Sequence, residues 1–154
     1  MAMAKPRTID HRNCWTVSGV RSAEKFFRAV PTLVPEATDM FLEGSSATEI
    51  VALLAPFSTH TDYGAPVGTL WSWPREQRFS VKASPALLAS LSEAADHHAE
   101  PEICSHLHFY RDDEPLLHWF DAFADPIMVS KAVSRERLEQ FCIETGGVLS
   151  DGAA

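Results

Sequence analysis

The feature that most constrains the fold is a pair of aromatic-rich runs, residues 104–110 and 116–121, on either side of a short charged turn. Side chains alternate with a period of two in both runs, which is typical of β-strands, and a polar turn between such runs predicts a β-hairpin. The turn contains Asp112, Asp113 and Glu114. We expect the rest of the chain to be organised around this hairpin.

The register of the hairpin decides which side chains meet, and the sequence leaves two registers open. One register places His108 opposite His118, and the register shifted by one residue places His106 opposite Asp121. Imidazole and carboxylate groups bind zinc and similar metals, and an open coordination position would activate water for hydrolysis. No HExxH or paired CxxC motif accompanies these residues. The candidate metal ligands are His106, His108, His118 and Asp121.

The formal net charge of −8 is distributed unevenly along the chain. Residues 93–125 contain nine acidic residues against Arg111 alone, whereas residues 1–28 contain six basic residues. Generic nucleic-acid binding needs a concentrated basic surface and is therefore not expected. The carboxylates either form a solvated surface that maintains solubility or a docking surface for a basic protein partner, whose complementary potential would accelerate encounter. The candidate partner-binding residues are Asp112, Asp113, Glu114, Asp121 and Asp125.

The length and composition indicate one globular domain. A chain of 154 residues with 45% hydrophobic and 22% charged residues is near the average for proteins that bury a single core. No internal repeat or linker divides the sequence. Residues 1–154 are therefore predicted to form a single domain, with residues 1–11 and 148–154 as flexible ends.

The cysteine pattern predicts the cellular compartment. Cys14, Cys104 and Cys142 are far apart in the sequence, their number is odd, and no secretory signal precedes them. Such a pattern is typical of free thiols in a reducing cytosol. No window approaches the roughly 18 apolar residues of a membrane span. We therefore expect a cytoplasmic location and no membrane association.

The remaining segments alternate between strand and helix patterns. Ser22, Ser46, Ser84 and Ser134 each precede an apolar stripe with helical spacing, so they are predicted to be helix N-caps. Pro31 is predicted to end the first helix, and Gly146 to end the last one. Further strands are predicted at 13–18, 39–43, 67–73, 78–83 and 127–131.

This order of elements favours an α+β fold, or a mixed α/β fold, in which about four helices pack against a mixed β-sheet. Strands alternate with helices in the first half of the chain, and hairpins predominate in the second half. An uncovered edge strand in such a sheet would make a homodimer plausible.

Two functions follow from these observations. The favoured hypothesis is a small acidic binding domain, such as an inhibitor or an immunity-like protein, that docks on a basic partner through residues 93–125 and needs no cofactor. The alternative is a hydrolase that depends on zinc or another divalent transition metal bound by the hairpin histidines. The binding domain is favoured because the sequence has a marked charge imbalance but no recognisable set of catalytic residues.

Overall fold

The computed structural model describes residues 8–35, 38–58 and 78–151, and its described strands form one sheet. The strand predicted at 67–73 lies outside the described residues. The strands are β1 (Cys14–Ser18), β2 (Asp39–Glu43), β3 (Arg78–Lys82), β4 (His106–Arg111), β5 (Glu114–Trp119), β6 (Ile127–Ser130) and β7 (Val148–Asp151).

The seven described strands are arranged in the order β3-β2-β4-β5-β6-β1-β7, and neighbouring strands are antiparallel throughout. The predicted α+β class is therefore confirmed, with an antiparallel sheet instead of a mixed one. The predicted hairpin is β4 and β5, which occupy the middle of the sheet and have further strands on both sides. Any side chain on this hairpin is consequently flanked by side chains of neighbouring strands.

Five helices are described, against the four or so that the sequence predicts. Helix α1 contacts both α3 and α5, and α2 contacts α3, so these helices form a layer on one face of the sheet. A short 3-10 turn at Ala55–Phe57 follows α2. The helices are α1 (Ala23–Leu33), α2 (Thr48–Leu54), α3 (Pro85–Ala95), α4 (Glu100–Ile103) and α5 (Arg135–Thr145).

Three of the predicted N-caps are confirmed. The side chains of Ser22, Ser84 and Ser134 each accept a hydrogen bond from a backbone N–H of the following first turn. Gly146 ends α5 with a φ of 79°, a left-handed conformation that glycine adopts without steric cost. These local signals depend on neighbouring residues only, which explains why the sequence reveals them.

Two predicted helix boundaries were wrong. Helix α1 continues through Pro31 to Leu33 because a proline in the last turn removes one backbone hydrogen bond, while the fully buried Leu33 keeps the turn attached to the core. Helix α2 begins at Thr48, with Ala47 instead of Ser46 as its N-cap. The backbone N–H groups of Ser46 and Ala47 both donate to the carbonyl oxygen of Glu102, so a tertiary contact fixes this helix start.

The core lies between the sheet and the helix layer and is centred on an aromatic cluster. The Phe26 ring lies 4.8 Å from Trp119, 5.9 Å from Phe141 and 6.4 Å from Phe109, measured between ring centroids. All four side chains are fully buried. The cluster joins α1 and α5 to the central hairpin, so burial of the hairpin depends on both helices.

The end of the chain differs from the sequence prediction. Residues 148–154 were expected to be flexible, but Val148–Asp151 forms the edge strand β7 and pairs with β1. Leu149 lies opposite Val17 and packs partly against the core, which explains the ordering of this segment. Lys131 and Asp151 also form an ion pair across the same edge.

Candidate functional site

The hairpin adopts the first of the two registers left open by the sequence. His108 lies opposite His118, and Phe109 lies opposite Leu117. A β-bulge then shifts the pairing, so that Tyr110 lies opposite Pro115. The two histidines therefore project from the same face of the sheet, on the side opposite the helix layer.

His108 and His118 form a buried imidazole pair. The Nδ1 atoms of the two rings are 2.9 Å apart, and the exposed fractions of the residues are 0% and 1%. The ring of Phe41 stacks on His108, and Tyr110 and Phe120 contact both imidazoles. Only one proton fits between two facing ring nitrogens, so the neutral pair forms one N–H···N hydrogen bond with opposite tautomers.

Burial makes protonation of this pair unfavourable. Desolvation, with smaller contributions from the neighbouring His118 and His106, lowers the pKa of His108 from 6.5 to about 3. Desolvation likewise lowers the pKa of His118 from 6.5 to about 4. Both imidazoles are therefore neutral at pH 7.

The four predicted metal ligands do not converge on one point. His106 directs its Nδ1 atom to the backbone N–H of Asp121, which donates a hydrogen bond of 3.1 Å. His108 and His118 face each other instead of His106. Within the described residues no group of three or more histidine, cysteine or acidic side chains is arranged to hold a metal ion. Nothing in this part of the chain favours the zinc hydrolase alternative.

The acidic residues of 93–125 are divided between the two ends of the central strands. Asp112, Asp113 and Glu114 lie at the hairpin turn, where β4 ends and β5 begins. Six-residue strands separate this turn from the loop that contains Asp121 and Asp125, a distance of roughly 17 Å at 3.4 Å per residue. The five predicted partner-binding residues therefore do not form one continuous surface.

The larger group of carboxylates gathers at the other end of the sheet, which we call the acidic end. Helix α4 and the loop 121–125 meet there, because the backbone of Ala122 donates to Ser105 just before β4. Helix α3 follows β3, whose last residue lies at the same end of the sheet as the hairpin turn. The helix runs back from there, and His98 just after it contacts Glu49 and Glu102 at the acidic end. The acidic residues of this end are Glu93, Asp96, Glu100, Glu102, Asp121 and Asp125.

A concave groove lies between α1 and α3 at the acidic end. It has a volume of about 370 Å³, and Glu24, Glu93 and Asp96 contribute carboxylates to its lining. Glu24 forms an ion pair with Arg28, which also lines the groove. The groove therefore combines concave shape with an excess of negative charge.

Two carboxylates of the acidic end, those of Glu49 and Glu102, lie close to surface histidines. The Nε2 atom of His98 lies 2.8 Å from a carboxylate oxygen of Glu49, and its Nδ1 atom lies 3.7 Å from Glu102. His97 approaches Glu49 at 3.8 Å. These contacts join α2, α3 and α4, so the acidic end is built from several elements held at fixed positions.

Sequence reasoning missed Glu24 and Glu49, which belong to the acidic end but lie far from residues 93–125 in the chain. Each occupies the first turn of a helix that follows a strand, β1 or β2 respectively. Both strands run parallel to β5 and end on the same side of the sheet. Only the strand order reveals this, because no local pattern connects these residues to the hairpin.

The hairpin turn itself is strained. Asp112 and Asp113 form a two-residue loop between Arg111 and Glu114, and their φ angles are 48° and 67°. Positive φ at both positions is the geometry of a type I′ turn, which strongly favours glycine at its second position. We predict that Asp113→Gly raises the free energy of unfolding by about 0.5 to 1 kcal/mol, because glycine adopts this conformation without steric cost.

Urea denaturation of the Asp113→Gly variant measures this effect, and Asp96→Gly is a matched control. Asp96 has a φ of −66°, where glycine brings no conformational relief, so that variant should lose stability. A loss of stability in Asp113→Gly as well would mean that the aspartate side chain itself stabilises the turn.

No helix within the described residues has the length and apolar character needed to cross a membrane. The three cysteines are buried and free of disulfide bonds. The sequence matches no known protein-family model, and neither the curated proteins nor the solved structures include a significant match to this chain.

Proposed function

We propose that the protein is a non-enzymatic binding domain, of the inhibitor or immunity-like kind, that docks on a basic protein partner through its acidic end. The observation that carries the proposal is the convergence of α1, α3, α4 and the loop 121–125, which brings separate carboxylates to one side of the molecule. Exposed carboxylates on rigid elements give a fixed pattern of negative potential, which attracts and orients a basic partner.

The groove between α1 and α3 supports this proposal in a specific way. Its volume of about 370 Å³ accommodates an extended side chain from a partner, and its carboxylates suit a lysine or arginine. The hairpin turn supplies a second and smaller acidic feature, which would add long-range attraction without direct contact. A cytoplasmic location belongs to the same proposal and is supported by the three free thiols.

Two variants with the same charge change test the proposal. Glu93→Gln/Asp96→Asn/Asp121→Asn removes three negative charges from the acidic end, and Asp112→Asn/Asp113→Asn/Glu114→Gln removes three from the turn. A fluorescently labelled arginine-rich peptide serves as a defined probe, and its affinity is measured at two salt concentrations. We expect the acidic-end variant to bind roughly tenfold more weakly, as for loss of one to two charge-assisted contacts, and the turn variant to change less.

Equal weakening by both variants would show that the peptide responds to net charge alone, which contradicts docking at the acidic end. Unchanged binding by both variants would remove any role for these carboxylates. The same two variants then serve as paired baits for affinity capture, with proteins that are retained by the turn variant and lost by the acidic-end variant as the candidate partners.

A further inference from the structure

A second feature of the molecule has no role in the proposed docking function. One row of side chains crosses the sheet on the face opposite the helices, and it contains Phe41, His108, His118 and Met128 in neighbouring strands. Side chains directly opposite each other in an antiparallel pair have Cβ atoms about 4.5 to 5.5 Å apart. Met128, which is half-buried, is therefore the cross-strand neighbour of His118.

The imidazole pair directs one nitrogen atom of each ring toward the other. Its two Nδ1 atoms face each other at 2.9 Å, and both are held by adjacent strands in the centre of the sheet. The Nε2 atoms of His108 and His118 are also buried, and among the described residues neither has a hydrogen-bond partner. Buried polar atoms without partners are rare, because each costs about 1 to 3 kcal/mol. This cost marks the imidazole pair as a feature that packing alone does not explain.

The surroundings determine which ion is suitable. A structural zinc site needs four ligands, and the described residues provide no group of three zinc-type side chains. The pair is enclosed by the rings of Phe41, Tyr110 and Phe120, and burial of a monovalent ion in such an apolar site costs less than burial of a divalent one. Imidazole and thioether groups together form a donor set that suits copper in its soft, monovalent state.

We propose that His108 and His118 bind Cu(I) between their Nδ1 atoms, with the Met128 sulfur as an additional soft donor. The ion takes the place of the hydrogen between the two Nδ1 atoms. That proton moves to the Nε2 atom of the same ring, so both imidazoles stay neutral and no net proton is released. Metal–nitrogen bonds of about 2 Å require the two nitrogens to separate by about 1 Å from their spacing in the metal-free pair. Rotation of the two imidazoles about their side-chain bonds supplies such a displacement without a change in strand pairing.

Proton competition at this site is weak. Because desolvation lowers the pKa of both imidazoles well below 7, each ring keeps a nitrogen lone pair at neutral pH. The three cysteine thiols are competing soft donors elsewhere in the chain, and none of them lies in this row. Burial raises the pKa of Cys104 to about 12, which keeps that thiol protonated.

The test is an anaerobic titration of the untagged protein with Cu(I), in competition with a chromogenic Cu(I) chelator. We expect the wild-type protein to bind one more equivalent than His108→Leu/His118→Leu, since all three cysteines are present in both proteins. Met128→Leu conserves side-chain volume and should weaken binding at least tenfold. His11→Gln, at an exposed histidine outside the row, should bind as the wild type does.

Nitrogen-15 spectra of the imidazoles are recorded on the wild-type protein, so this measurement does not depend on whether the variants fold. Binding should shift the Nδ1 resonances of His108 and His118 and leave those of His97 unchanged. Unshifted resonances, or equal numbers of equivalents in wild type and double variant, would overturn the proposal. Zn(II) binding by the same rings in preference to Cu(I) would also overturn it. Each outcome is independent of peptide binding at the acidic end, so the two proposals can fail separately.

Discussion

Lowering the pH from about 7.5 to about 5 is expected to reduce the free energy of unfolding of the metal-free protein by about 4 kcal/mol through the imidazole pair alone, at about 2 kcal/mol per histidine. The folded pKa values of about 3 and about 4 both lie below the ordinary value of 6.5. The unfolded chain therefore binds more protons than the folded chain between about pH 6.5 and pH 4. This contribution is complete above pH 6.5 and decreases as the pH falls.

Urea unfolding at a series of pH values measures this effect, and the variant His108→Leu/His118→Leu isolates it. The variant retains every titrating carboxylate and lacks only the buried pair, so the difference between the two stability curves reports the histidines. His11→Gln is the control, since it removes a histidine that is exposed and lies outside the buried pair. Parallel curves for the wild type and the double variant would contradict the proposed burial of two neutral imidazoles.

The second large effect is expected at the aromatic cluster of the core. Trp119→Ala should lower the free energy of unfolding by about 3 to 5 kcal/mol, because it removes a fully buried indole and leaves a cavity. The ring lies 4.8 Å from Phe26 and 4.5 Å from Phe123 between centroids. Its Nε1 atom also donates a hydrogen bond of 2.6 Å to the carbonyl oxygen of Asp125. The substitution therefore affects both the core and the loop at the acidic end.

Chemical denaturation of Trp119→Ala should be compared with that of Trp15→Ala. Trp15 is only partly buried, and the Lys131 ammonium lies 3.6 Å from its ring centroid at the surface. Loss of that contact and of the hydrogen bond to Val133 should cost less than about 2 kcal/mol. Equal losses in the two variants would mean that Trp119 does not hold the central position assigned to it in the core.

Phe123 illustrates how the core maintains an unfavourable backbone conformation. Its φ of 71° is rare for a bulky residue, and Asp121 in the same loop has a φ of 47°. The Phe123 ring is buried against Trp119 and Phe26, and these contacts compensate for the strain. No sequence pattern predicts this loop, because its conformation is imposed by the core and by pairing with the start of β4.

The charge imbalance shows what can be predicted from the sequence and what cannot. Counting residues identifies an acidic segment, but position along the chain does not equal position in space. Strand β5 lies between Asp112 and Asp121 and carries them to opposite ends of the sheet, although only nine positions separate them. The same topology brings Glu24 to the groove beside Glu93, far along the chain.

The amino-acid sequence by itself determined the α+β class, three helix starts, the glycine that ends α5 and the existence of the hairpin. Each of these depends on interactions among residues close together in the chain, so a short segment contains the information. The tertiary structure alone decided the antiparallel strand order, the choice of register that pairs His108 with His118, and the gathering of carboxylates at one end. These features depend on burial of one sheet face against the helix layer, an interaction among residues far apart in the chain that no local pattern encodes.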